Sequence, residues 1–267
     1  VEVDRWWLAL ADSDAGLWAR GVAINSGLDV TVREPEIYPI QVQGPKSKDV
    51  MRTLFGDAAL DIKYYWTMTA ELDGIPVVIS RTGWTGEVGY EIYLRDASRG
   101  GDLWDRVMEA GRPHDIRPIA PCEARRIEAG IFNYGSDMTI ANNPFEVMGL
   151  ERLVETQAAD YIGKAALEEI RLRGVSRKLV GIEVDGDALS FEIAEKRPAL
   201  HDGQPVGTLT DLIWSPRLER NIGYAWVPIE LAAPGTPLEI LAPDGDRWAA
   251  RTAAIPFLDA KKAIPLG

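Results

Sequence analysis

Arg81-Thr82-Gly83-Trp84-Thr85-Gly86-Glu87-Val88-Gly89-Tyr90-Glu91-Ile92 is a glycine-rich loop that runs straight into a strand. Its glycines predict positive φ angles and room for a flat ligand to approach the main chain. From Tyr90 to Leu94 the side chains alternate in character, as in a half-buried strand. Just upstream, Met68 to Leu72 and Pro76 to Ser80 flank Asp73-Gly74, a two-residue hairpin signal.

Working outward, Arg5-Trp6-Trp7-Leu8-Ala9-Leu10-Ala11 is bulky and apolar and predicts a buried strand. Asp12-Ser13-Asp14 offers N-caps to a helix carrying Leu17, Trp18, Val22 and Ala23, which Gly27 stops. Trp6, Trp7, Trp18 and Trp104 are expected in the core. Thr31-Val32 and Ile40 to Gln43 read as strands. Ser47 to Phe55 reads as an amphipathic helix with Val50, Met51 and Leu54 inward. Further helices are expected over Asp102 to Ala110, Cys122 to Ala129 and Lys164 to Leu172. Beyond about Val175 the pattern changes. Short strands over 179–184, 205–210, 222–227, 237–241 and 248–254 are separated by turns such as Asp202-Gly203 and Pro234-Gly235, which suggests a small barrel or sandwich. The fold class is α+β, with a first domain over 1–175 and a β domain over 176–267.

Hydrophobic residues make up 46% of the 267 and charged residues 26%, enough for a core of ordinary size. The net charge of −12 argues against binding a phosphate backbone. No apolar run approaches the roughly 18–20 residues that cross a bilayer, and no signal peptide is visible. One cysteine, Cys122, excludes an internal disulfide, and with two histidines a Cys- or His-based metal site is not expected. The compartment is expected to be reducing, hence cytoplasmic. The sequence opens at Val1 on strand-like residues, so a preceding segment is expected to be missing.

The loop and strand resemble the Gly-Tyr-Thr-Gly-Glu-x-Gly-x-Glu segment of the glycine cleavage T-protein (aminomethyltransferase) superfamily, and Gln43-Gly44-Pro45 resembles its Gln-Gly-Pro. Similar segments follow in the same order. They are Arg126-Ile127-Glu128-Ala129-Gly130, Tyr134-Gly135-Ser136-Asp137, Asn143-Pro144-Phe145-Glu146 and Tyr161-Ile162-Gly163-Lys164, then Asn221-Ile222-Gly223-Tyr224 and Pro256-Phe257. Trp214-Ser215-Pro216-Arg217 resembles the branch that contains the dimethylsulfoniopropionate demethylases. Thr85-Gly86-Glu87 keeps the general family form, so the substrate stays open.

The resemblance implies a folate-binding domain of ferredoxin-like α/β units followed by a small β-barrel. It implies tetrahydrofolate as cofactor, a small one-carbon donor (amine, sulfonium or ether) and, for aminomethyl transfer, a lipoyl carrier protein. Neither nucleic acid nor membrane is expected as a partner. The alternative is a non-catalytic folate-binding assembly protein; relatives of that kind carry a Lys-Gly-Cys-Tyr motif, whereas this chain has Tyr161-Ile162-Gly163-Lys164.

By the same resemblance, Glu91 grips the pterin ring and Trp84 lies beside it. Tyr64 lies on a strand reaching the same pocket, and Trp214 starts a turn facing the cavity. A carboxylate suits the pterin's amino group and neighbouring ring N–H, because charge-assisted hydrogen bonds are about twice as strong as neutral ones. Cys122 stands where the family has an arginine for the folate tail; Arg125 or Arg126, the latter matching a structural family arginine, and Lys262 are the replacement cations. The family's catalytic aspartate precedes the strand expected over Arg5 to Ala11, so the catalytic residue is left open, with Tyr134 and Asp12 as candidates.

Overall fold

The structure, a computed structural model, describes residues 4–10, 15–155, 158–242 and 245–267. Asp12 and Asp14 lie outside the described residues. The chain forms two compact units, one of residues 1–121 with 262–267 and the other of residues 122–261.

The first unit is built on an antiparallel sheet of β1 (Tyr38–Gln43), β2 (Thr67–Leu72), β3 (Ile75–Ser80) and β4 (Gly89–Leu94), in the order β1-β4-β3-β2. The β2–β3 hairpin turns at Asp73 and Gly74, both at positive φ (49° and 78°), as a two-residue primed turn requires. Of the helices α1 (Ala15–Asn25), α2 (Ser47–Phe55) and α3 (Gly100–Gly111), the last two cover one face of the sheet. Val50 and Met51 of α2 and Leu103 and Val107 of α3 pack with Val77, Ile79, Tyr90 and Ile92. Because side chains alternate along a strand, Gln41, Val78, Ser80, Glu91 and Tyr93 fall on the other face. Register confirms it, since Glu91 pairs with Gln41 on one side and Ser80 on the other.

Several expectations in this unit are corrected. Trp6 to Leu10 form no strand, and Trp6 and Leu8 are 77% and 71% exposed. A strand needs a ladder partner, and among the described residues neither sheet edge pairs with this segment; Ala11 lies outside them. Helix α1 forms where expected, yet buries no residue, and Trp18 is 57% exposed. Trp104 is 43% exposed because the buried stripe of α3 runs through Leu103, Val107 and Ala110 instead. Of the four tryptophans expected in the core only Trp7 is half-buried, its ring edge-on to Tyr93 at 6.1 Å. Thr31-Val32 is not a strand either.

The second unit begins with α4 (Glu123–Glu128), α5 (Arg152–Glu155) and α6 (Lys164–Arg173). A closed barrel follows, made of β5 (Arg177–Val184), β6 (Arg197–His201), β7 (Gln204–Ser215), β8 (Arg220–Pro228), β9 (Pro237–Leu241) and β10 (Arg247–Ala253), in the order β10-β5-β8-β7-β6-β9. The α+β class and the C-terminal barrel are as expected. Val180, Ile182, Leu209, Leu212, Ala225, Val227 and Ile240 belong to its apolar core. A second cluster, Ile127, Leu179, Ile222 and Tyr224 with Phe132 and Phe257, joins α4 to the barrel wall. β7 carries a bulge between Leu209 and Asp211. The extra residue re-aims its neighbours, and Thr210 and Asp211 are both buried polar residues.

Candidate functional site

Glu91 sits mid-strand on the sheet face opposite α2 and α3, half-buried, and three donors hold its carboxylate. Tyr93 Oη donates to Oε2 at 2.6 Å and Thr82 Oγ1 donates to the same oxygen at 2.8 Å. Gln41 Nε2 donates to Oε1 at 3.2 Å. Ser80 Oγ and Thr82 Oγ1 lie 3.0 Å apart, tying the donor back to β3. Burial first, and then the hydrogen bond to Glu91 and its charge, push the Tyr93 phenol well above its ordinary range, so it stays a donor. A carboxylate has about four acceptor sites. Both on Oε2 are used, whereas Oε1 keeps a free one beside the Gln41 bond. This acceptor matches the N–H-rich edge of a pterin.

The loop before β4 is clamped by Gln43. Its Nε2 donates to the carbonyls of Thr82 (3.2 Å) and Tyr90 (3.4 Å), while Thr85 Oγ1 donates to its Oε1 at 2.8 Å. This corrects the reading of the glycines. Of Gly83, Gly86 and Gly89 only Gly86 has positive φ (68°). A Cβ at Gly83 or Gly89 would instead overlap the Gln43 amide. The Gln-Gly-Pro and Thr-Gly-Glu segments are thus one packing unit, and Trp84 is half-buried on the loop they brace.

Tyr64 lies in a turn before β2, not in a strand, half-buried with its ring 4.2 Å from that of Tyr65. Burial, then the hydrogen bond its hydroxyl donates to Tyr65, raise its phenol. Glu91, Trp84 and Tyr64 all belong to the first unit; Tyr134 and Trp214 belong to the second. Tyr134 is half-buried in a turn fastened by Asp137, which accepts from Asn133 N at 2.7 Å. Trp214 is half-buried near the end of β7, and its neighbour Ser215 donates to buried Glu128 at 2.6 Å. Arg217 Nη1 reaches the same carboxylate at 3.4 Å. The Trp-Ser-Pro-Arg segment therefore docks onto the Arg-Ile-Glu-Ala-Gly helix.

Sequence reading did not find the donors around Glu91, since each is unremarkable alone. It also missed a buried charge cluster in the second unit. Arg126, fully buried, donates to Asp137 Oδ2 at 2.7 Å and makes short contacts to Glu123 and Asp211. Thr210 Oγ1 donates to Asp137 Oδ1 at 2.9 Å and Trp226 Nε1 to the Asp137 carbonyl at 2.9 Å. With every arm of its fork engaged inside this unit, Arg126 is a structural arginine. Burial pushes the Asp211 carboxyl up to about 8 against the pull of Arg126, with Glu192, Asp137 and Glu123 adding to the rise. Protonated Asp211 can then bond Glu192.

The sign of the resulting pH dependence is fixed. The folded-state value lies above the unfolded one of about 4, so Asp211 adds stability that is complete below that pH and lost as pH rises through about 8. Asp211→Asn imitates the protonated form. Between pH 6 and 9 its melting temperature is expected to gain on the wild type by roughly 2–5 °C. A gap that does not change with pH would show that Asp211 does not titrate between pH 6 and 9.

Comparison with known proteins divides the chain later than the two compact units do, between residues 158 and 177. Residues 2–158 match the family described as the GCVT N-terminal domain, and residues 177–259 match the glycine cleavage T-protein C-terminal barrel domain. The chain is 36% identical over 247 residues to the dimethylsulfoniopropionate demethylase DmdA of Ruegeria pomeroyi, covering 92% of this chain and 67% of that protein. It is 35% identical to an aminomethyltransferase of Synechococcus sp., covering 87% of this chain and 62% of the relative. The chain thus spans about two thirds of the length of these relatives. Aminomethyltransferase T of the glycine cleavage system from Bartonella henselae has the same fold, with a TM-score of 0.72 at 19% identity over 92% of this chain and 66% of that one. No helix among the described residues is long and apolar enough to cross a membrane.

Proposed function

Because the chain belongs to the glycine cleavage T-protein family, we propose that it is a tetrahydrofolate-dependent one-carbon transferase, moving a methyl or methylene group from a small donor or an aminomethyl carrier onto folate. The observation that carries this reading is Glu91, fixed by neighbours with one acceptor site on Oε1 left over. Glu91 Oε1 accepts from the N–H edge of the pterin. Trp84 packs beside the ring, and a stacked pair of this kind adds ~0.5–1.5 kcal/mol beyond area burial. Tyr64 lines the same ligand. Tetrahydrofolate supplies the ring nitrogen that accepts the one-carbon unit.

The residues of the chain hold folate and donor in line, and such proximity supplies much of the rate gain. Tyr134 hydrogen-bonds the donor. Cys122 stands exposed at the N-cap of α4 without a capping bond, so no cation binds the folate tail there, and Lys262 takes that role as a point charge. The donor is either a small methylated amine, sulfonium or ether, or the aminomethyl group of a lipoyl carrier protein, met in the cytoplasm. The first gives methyltetrahydrofolate and the second methylenetetrahydrofolate. Incubating the protein with tetrahydrofolate and each donor class, and separating the two products by mass, tests the reading. One of the two products is expected; folate binding with no product from any donor would favour the non-catalytic alternative.

A further inference from the structure

The carboxylate of Glu91 is not free to choose how it meets a ligand. Tyr93 Oη and Thr82 Oγ1 occupy Oε2 at 2.6 and 2.8 Å, distances typical of bonds to a charged acceptor. Gln41 approaches Oε1 at 3.2 Å, a longer and more easily exchanged bond. Tyr93 is itself held. It stands two residues after Glu91 on the same face of β4, with Val78 of β3 as its register partner and the edge of Trp7 6.1 Å away. We infer that Tyr93, with Thr82, is a positioning residue that reserves Oε2 and turns Glu91 so that folate is recognised through Oε1 alone.

Recognition is then one-oxygen rather than two-pronged, and its strength depends on a hydroxyl that does not touch the ligand. Gln41, on the exposed side, yields or shares Oε1 when the pterin enters. The inference rests on Glu91 being the pterin contact. It adds that the residue's affinity is set through β4's own neighbouring tyrosine.

A double-mutant cycle read by tetrahydrofolate affinity separates the two statements. Tyr93→Phe removes only the hydroxyl and keeps the ring against Trp7. It is expected to weaken binding about five- to tenfold, less than the loss of a direct bond to a charged group, because the hydroxyl does not touch the ligand. In a Glu91→Gln background the same substitution is expected to change affinity less than twofold, because the carboxylate is gone and Thr82 alone still holds the amide oxygen at the Oε2 place. If Tyr93→Phe melts before binding can be measured, Thr82→Val removes the other Oε2 donor and is read in the same cycle. Equal effects in both backgrounds would overturn the positioning role while leaving Glu91 as the contact. A Glu91→Gln protein that binds as well as the wild type would overturn both.

Discussion

Arg126→Met is expected to cost about 3–5 kcal/mol, the effect of stripping the partner from buried charges, and so to remove a large share of the 5–15 kcal/mol that holds a typical domain together. The reason is local. Asp137 and Asp211 are 1% exposed, and both look to the Arg126 guanidinium for compensation, as does Glu123. Methionine fills the space but leaves Asp137 and Glu123 with nothing to offset their desolvation, and Asp211 likewise once it ionises near pH 8. The β7 bulge that aims Thr210 and Asp211 at this point would lose its reason to persist, so the barrel should loosen from that strand. Lysine is no substitute, because a point charge cannot serve three acceptors in a fixed fork. The loss should shrink in acid, where the orphaned carboxylates take up protons. Denaturant unfolding at pH 5 and pH 8 measures both effects. A variant within 1 kcal/mol of wild type at pH 8 would mean that Asp137 and Asp211 are compensated from elsewhere.

Glu91→Gln is expected to weaken tetrahydrofolate binding roughly tenfold to a hundredfold, from about 1.5–3 kcal/mol for a lost bond to a charged acceptor. The donors around it decide which way the amide turns. Tyr93 and Thr82 both donate to the Oε2 position, so the glutamine oxygen must face them. Its NH2 group then occupies the Oε1 position and confronts the pterin's own N–H. The fold should survive, since Glu91 is half-buried on a sheet face and takes no part in the apolar clusters. An unchanged melting temperature with weakened affinity marks a ligand contact. Unchanged affinity would reduce Glu91 to a hydrogen-bonded strand residue.

Much of this architecture was legible because local rules and tertiary packing agree. Asp73-Gly74 turns where a two-residue primed turn is favoured, and the alternation of Tyr90 to Leu94 puts Glu91 opposite Tyr90 and Ile92. The barrel strands after Val175 follow their Gly, Pro and Asp turns, and β9 has the bounds expected of it. What failed depended on distant partners. The run from Trp6 to Leu10 has the composition of a strand, but composition does not say whether an edge is available to pair with. Gly83 and Gly89 look like hinges, yet their constraint is the amide of Gln43, about forty residues away in sequence. β6, from Arg197 to His201, was not expected, because only pairing with β7 and β9 makes it a strand.

The two sites differ in the same way. The resemblance pointed to Glu91 as a ligand group. The structure adds the donors that orient it, from Gln41 on β1 and Thr82 in the loop. The Arg126 cluster had one visible local pair, Glu123 and Arg126 at a spacing of three; Asp137 lies 11 residues away and Asp211 lies 85 away. No periodicity links such positions, and only the bulge in β7 and the turn after Tyr134 bring them together.

Equilibrium titration of the wild-type protein with tetrahydrofolate, followed by quenching of tryptophan fluorescence, tests folate recognition most directly. Saturable quenching is predicted, with Trp84 beside the ring as reporter and a matching loss of signal in Trp84→Phe. A folded protein that shows no binding at millimolar tetrahydrofolate would contradict it.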